Sequence, residues 1–242
     1  MPREFVLVHG ASHGAWCWDD VAAVLRRDGH RVVTLDLPGH GRRAAEASRA
    51  GMESYGRAVA DVMAREGVSR GVVVGHSMGG PVIQKAAEIA RERIAHLVFL
   101  AAVVLPSRGS LEGVHLTPVG RTLMRGLAAA RGDGTFAYPA ETAWARWMSD
   151  LPRSHPAVAR ALALLTPQPL RPFVETVDLS AFQTLRVPRT YVRCLRDLAV
   201  VPARADGYAA RLGVRPVDMK TAHDPMLSAP EALARLLEKI PA

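Results

Sequence analysis

Cysteine is nearly absent. Cys17 and Cys194 are the only two in 242 residues. That is too few for a disulfide framework, so a reducing compartment is expected, with the cytoplasm as default. Lysine is as scarce: the formal charge is +8, yet Lys85, Lys220 and Lys239 are the only lysines, and no basic run exceeds pairs such as Arg26-Arg27 and Arg42-Arg43. Nucleic-acid binding needs basic residues gathered on one face, so no nucleic-acid partner is expected; an acidic substrate is not excluded. No apolar run is long enough to cross a bilayer, and the chain enters a strand almost at once with no signal-peptide pattern, so no membrane partner is expected. Internal repeats and low-complexity segments are lacking as well.

What is there is ordinary for a globular protein: 49% hydrophobic and 22% charged residues, enough to bury a large core in one domain with an inserted subdomain. Short β-branched runs alternate with amphipathic segments. Strands are expected at Glu4 to Val8, Arg31 to Leu35, Val72 to Val74 and His96 to Ala102. Helices are expected at Asp19 to Asp28, Tyr55 to Glu66 and Pro81 to Ala90. Such alternation predicts a parallel sheet covered on both faces. From about Pro106 to Leu185 it breaks: helical periodicity persists at Val119–Ala130, Glu141–Asp150 and Pro156–Leu165, and no strand is expected. Strands resume at Arg189–Cys194 and Arg215–Met219 around a helix at Ala203–Leu212, and Ser228-Ala-Pro-Glu231 reads as a capping box opening the last helix. Residues 1–105 and 186–242 are thus expected to form the core, with 106–185 as a helical lid over the carboxyl edge of the sheet.

The chain is organised around Gly71-Val-Val-Val-Gly-His-Ser-Met-Gly-Gly80. Strand, sharp turn and helix meet at Ser77. Gly75 and Gly79 let strand and helix pass closely, and the helix N-terminus favours negative charge developing beside the hydroxyl. This Gly-x-Ser-x-Gly pattern is a nucleophile elbow. A serine hydroxyl needs a base, a group to orient that base, and donors for an oxyanion. His223 is the one histidine of nine beyond residue 185, on the loop after the last strand, which places it at the same sheet edge as Ser77. Asp197 follows the preceding strand and is the expected acid. Asp206 is weaker because it falls within a helix, and Asp224 because neighbours on one loop seldom face each other productively. Met78 and Ala11 are the expected backbone donors. Gly10 opens access to that backbone. His9 and His13 sit in a Gly-rich loop without a third ligand, so no metal is expected, and no cofactor.

Phe5-Val-Leu-Val-His-Gly-Ala-Ser-His-Gly-Ala-Trp-Cys-Trp18, Gly29-His-Arg-Val-Val-Thr-Leu-Asp-Leu-Pro-Gly-His-Gly41, Gly75-His-Ser-Met-Gly-Gly80, Val104-Leu-Pro106 and His223-Asp-Pro-Met-Leu-Ser-x-Pro230 together resemble the α/β hydrolases, in particular the plant methylesterase and hydroxynitrile lyase branch and its bacterial relatives. The resemblance covers the chain except most of the lid, where only Leu170-Arg-Pro172 is familiar. It implies an α/β-hydrolase fold with six mainly parallel strands flanked by helices, Ser77, Asp197 and His223 as a triad, and Ala11 and Met78 as oxyanion donors. The lyases it resembles carry threonine in place of Gly10 and lysine in place of Asp224, so lyase chemistry is disfavoured; the Asp224 carboxylate is expected to point either into the site or to solvent. Ser77 excludes the aspartate-nucleophile chemistry of dehalogenases.

The sequence therefore reads as a serine hydrolase cleaving a small carboxylic ester with an apolar or aromatic acyl part. Hydrolysis of a lactone, thioester or C–C bond is the nearest alternative, and a non-hydrolytic small-molecule receptor the alternative of another class. Gly10, Ser12 and His76 are expected beside the substrate, with Trp144, Trp147 and Met148 as either lid core or pocket wall. A homodimer is left open.

Overall fold

Ten strands, twelve α-helices and three 3-10 helices are present among residues 1–241, which the computed structural model describes. The first four strands are β1 (Glu4–Val8), β2 (Arg31–Thr34), β3 (Gly71–His76) and β4 (Ile94–Leu100). Short pairs follow: β5 (Arg108–Gly109), β6 (Thr135–Phe136), β7 (Gln168–Pro169) and β8 (Val177–Asp178). The last two are β9 (Arg189–Cys194) and β10 (Val217–Met219). The main sheet has six strands in the order β10-β9-β4-β3-β1-β2, every pairing parallel.

Side chains alternate across a strand, and both faces of this sheet are covered, so β1, β3 and β4 are apolar at nearly every position. Phe5, Leu7, Val72, Val74, Val98 and Leu100 face one core, which α1 (Asp19–Arg27) and a C-terminal helix cover. Val6, Val8, Val73, Leu97 and Phe99 face the other, covered by α2 (Met52–Arg65) and α3 (Gly79–Ile89). The sheet grows outward from β1 to β2, then returns to place β3 on the other side of β1. The loops after β1 and β3 leave the sheet side by side at this switch point, where open α/β sheets bind ligands.

Between β4 and β9 the chain makes six helices: α4 (Leu111–His115), α5 (Pro118–Arg131), α6 (Ala140–Trp147), α7 (Pro156–Leu164), α8 (Arg171–Val174) and α9 (Ser180–Thr184). The expectation of no strand here needs correction. Two antiparallel ribbons occur, β5 with β8 and β6 with β7. The first pairs Arg108 with Asp178 and Gly109 with Val177, tying the start of the excursion to its end. Two-residue strands carry no readable period, which is why sequence pattern misses them.

After β9 come α10 (Pro202–Arg211), α11 (Pro225–Ser228) and α12 (Pro230–Lys239). The capping box expected at Ser228 does not form. Ala229 is extended in φ (−148°) between α11 and α12, because a residue before proline is driven out of the helical region. The Ser228 hydroxyl instead donates to Asp150 Oδ2 at 2.9 Å. Other boundaries move by up to three residues. The helix expected from Tyr55 starts at Met52, whose N–H donates to the Glu175 carboxylate of the distant excursion.

Candidate active site

β3 delivers Ser77 at φ +53°, a left-handed conformation that a serine adopts only under constraint. The constraint is visible. Ser77 N–H donates to the Leu100 carbonyl at 3.1 Å, and its own carbonyl accepts from Gly80 and Val103, both at 3.1 Å. A Cβ at Gly75 would stand 2.5 Å from the Gly79 oxygen, so the strand-to-helix crossing requires glycine.

The loop after β10 brings His223 Nε2 to 2.9 Å from Ser77 Oγ, and His223 Nδ1 lies 2.7 Å from Asp197 Oδ2. Asp197 Oδ1 in turn accepts the N–H groups of Ala199 and Val200 at 2.7 and 2.8 Å. With Nδ1–H donated to Asp197, Nε2 is left to accept the Ser77 proton. Burial alone would depress the His223 imidazolium, but the Asp197 carboxylate and, behind it, the Asp224 charge outweigh burial and the pKa is raised above the ordinary histidine value. Asp206 is elsewhere, in α10, paired with Arg193 at the surface.

Ala11 and Met78 border the same cavity as Ser77 and His223. Among the described residues neither backbone N–H has an internal acceptor. Gly10 sits behind them: a Cβ there would lie 2.8 Å from Ser77 Cβ. Its part is thus the close approach of two loops, with no place in the cavity wall.

The expectations about the surroundings hold for His76 and Trp147 and are corrected for the others. Ser12 does not border this cavity. Its N–H donates to Gln168 Oε1 at 3.0 Å and its carbonyl accepts from Thr166 at 2.8 Å, so it anchors the loop to the excursion. His76 touches the cavity but is fully buried, its Nε2 donating to the His223 carbonyl at 3.0 Å. Of the three α6 candidates only Trp147 lines the cavity. Met148 is buried behind it in an apolar cluster that Trp147 shares, and Trp144 packs there with its Nε1–H on the Leu151 carbonyl. Phe136, Tyr138 and Phe173 supply most of the aromatic wall, and sequence reading missed them. The one available signal was that Phe136 and Tyr138 stand two apart, on one side of an extended stretch.

Asp224 points neither to solvent nor to Ser77. It is fully buried, with Oδ2 3.1 Å from His13 Nε2. His13 Nδ1 faces the Ala11 carbonyl at 2.7 Å, so both ring nitrogens face oxygens. Burial would raise the Asp224 carboxyl, yet the His13 charge and hydrogen bond hold it below its ordinary range. His76, His223 and Asp224 place ligand-type atoms within 4.8 Å of one another, but both His223 nitrogens are already engaged. His9 engages its own two nitrogens with Gly10 and Leu37.

Asp224→Ala removes the buried partner of His13 Nε2, so a loss of about 1–3 kcal/mol in unfolding free energy is expected at neutral pH, read as a lower urea midpoint at unchanged slope. A depressed folded pKa gives stability that is present above the unfolded carboxylate value and lost as pH falls through the folded one. The gap between wild type and variant should therefore close only at the acid end. A gap independent of pH would mean that Asp224 acts by packing alone.

A model of the alpha/beta hydrolase family matches residues 5–236. The probable esterase PIR7A of Oryza sativa subsp. indica is 42% identical over 116 residues, which are 47% of this chain and 44% of that protein. The match thus spans less than half the length of that relative. The pyrethroid hydrolase of Sphingobium wenxiniae is 30% identical over 97% of this chain and 86% of its own. Among solved structures, an extracellular alpha/beta-hydrolase from a Paenibacillus species superposes with a TM-score of 0.91 at 26% identity, covering 98% of both chains.

Proposed function

Because this chain belongs to the alpha/beta hydrolase family, we propose that it is a serine esterase acting on small carboxylic esters with an apolar or aromatic acyl part. The observation that carries the reading is the unbroken relay from Ser77 Oγ through His223 to Asp197 at 2.9 and 2.7 Å, opening on a cavity with two unengaged backbone donors. His223 takes the Ser77 proton as Oγ attacks the ester carbonyl. Asp197 holds the imidazole in the Nδ1–H tautomer and stabilises the imidazolium. The N–H groups of Ala11 and Met78 receive the oxyanion. His223 then protonates the leaving alcohol, and water releases the acyl group by the same steps in reverse order. Residues 106–185 act as the lid, contributing the Phe136, Tyr138, Trp147 and Phe173 wall. Names among the relatives, esterase and pyrethroid hydrolase, support the reaction type.

Cyanohydrin cleavage fits the site poorly. A threonine in place of Gly10 has no room beside Ser77, and the residue after His223 is a buried carboxylate. The test is a panel of alkyl, aryl, lactone and thioester substrates with mandelonitrile, beside labelling by a fluorophosphonate. Ester turnover and an adduct mapped to Ser77 are expected, with mandelonitrile at background. Ser77-dependent mandelonitrile cleavage without ester hydrolysis would overturn the proposal, and tight binding with no turnover would favour a receptor.

The lid makes a separate expectation. Trp147→Ala should change the kcat/KM ratio between short and bulky acyl groups by about tenfold, the worth of one or two methylenes of contact. Met148→Ala should cost about 2–5 kcal/mol of stability with that ratio unmoved. If Trp147→Ala lowers stability and leaves the ratio alone, the acyl group lies against other residues.

A further inference from the structure

The cavity over Ser77 is mostly apolar, yet it contains one guanidinium. Arg146, on the α6 turn before Trp147, lines it together with Ser77 and His223. The same Arg146 lines a second cavity that opens alongside, and His115, Leu116, Tyr138 and Ala199 border both. The two spaces therefore share a wall, with Arg146 at the seam. No aspartate or glutamate lines either. Among the described residues Arg146 has no ion pair and no hydrogen bond. Elsewhere between β4 and β9, Arg125 and Arg153 are each paired with a glutamate. A second cation, Arg204, lines the outer cavity with its guanidinium on the His115 carbonyl. His115 between them adds no charge, since burial, then Arg204, push its pKa down to about 3.

A guanidinium offers five donors in a planar fork that matches a carboxylate bidentately. One left without a partner in the wall of a substrate cavity is a binding element awaiting an anion. We propose that the substrate of the Ser77 site carries a carboxylate a few atoms from its ester, and that Arg146 binds it. This rests on the esterase reading and changes its acyl part from wholly apolar to an apolar chain ending in a carboxylate, as in monoesters of dicarboxylic acids. The apolar wall of Phe136, Tyr138 and Trp147 holds the chain between the two functional groups, while the scissile carbonyl reaches Ser77. Arg146 also works, after burial, against protonation of His223. A bound carboxylate neutralises that opposition as the imidazolium forms, so substrate charge and catalysis are coupled.

The experiment compares mono-p-nitrophenyl adipate with p-nitrophenyl hexanoate, esters of equal carbon number that differ in the distal carboxylate. Wild type should favour the adipate. Arg146→Gln should lower the adipate-to-hexanoate ratio of kcat/KM by about 10- to 100-fold, mainly through KM, and Arg146→Lys should restore part of it. In a second arm, adipate dianion is titrated calorimetrically into the Ser77→Ala protein with and without Arg146→Gln. Binding lost with Arg146 supports the proposal even if neither ester is cleaved, in which case the esterase reading alone fails. Ser77-dependent cleavage of both esters with a ratio that Arg146→Gln leaves within twofold overturns the carboxylate site alone. So does a wild-type preference for the hexanoate.

Discussion

Ser77→Ala is expected to lower kcat on any ester the protein cleaves by about 10⁶, and His223→Ala by as much. The two residues act as one device. Without the imidazole the hydroxyl keeps its proton, and without the hydroxyl the imidazole has nothing to activate. The double variant should therefore be little worse than either single one, far from the product of the two losses. Some acceleration over water should survive, because the Ala11 and Met78 donors remain in place. The geometry sets this expectation: one hydrogen bond of 2.9 Å connects the pair, and Ser77 is half-buried at the cavity floor. The check is stopped-flow or burst kinetics on a p-nitrophenyl ester, with circular dichroism to establish that the variants fold. Losses below a hundredfold, or losses that multiply, would mean that another group attacks the ester.

Asp197→Asn should reduce kcat by about 10⁴ while the fold is kept, since asparagine presents an N–H where His223 needs an acceptor and turns the imidazole to the wrong tautomer. The pH profile supplies an independent signature. His223 acts as base only when neutral, so activity is lost as pH falls through its folded pKa. Burial depresses that pKa, and the Asp197 carboxylate, together with the Asp224 charge, more than restores it. Removing the carboxylate leaves only the Asp224 charge to oppose burial, and the acid limb of kcat/KM should move to lower pH as kcat falls. Asp206→Asn should do neither, because Asp206 faces Arg193 at the surface. A variant profile whose acid limb stays in place would show that Asp197 does not set the His223 charge.

Some of this was readable in the sequence because it depends on short stretches of backbone. Three valines running into Gly75-His-Ser-Met-Gly79 can make only a strand and a sharp turn, since side chains at those glycines would strike the opposing backbone. The order of serine, acid and histidine then follows from which strands end at the same edge of a parallel sheet. Even so, no capping box forms at Ser228, because the conformational bias that Pro230 imposes on Ala229 outweighs a favourable side-chain pattern.

What the tertiary structure alone decided lies farther apart in the chain. Asp224 meets His13, 211 residues away, and becomes the buried partner of that ring in place of a solvent-facing loop residue. Ser12 turns to Gln168, 156 residues on, and so leaves the cavity it borders in sequence. Trp144, Trp147 and Met148 share one stretch of α6 and its C-terminal cap, and nothing in their spacing distinguishes a ring packed inside the excursion from one aimed at Ser77. Local sterics act within a few residues and so are written in local sequence. The faces of a helix and the partners of a buried charge depend on how separate segments pack, and that is settled only when the excursion closes over the sheet.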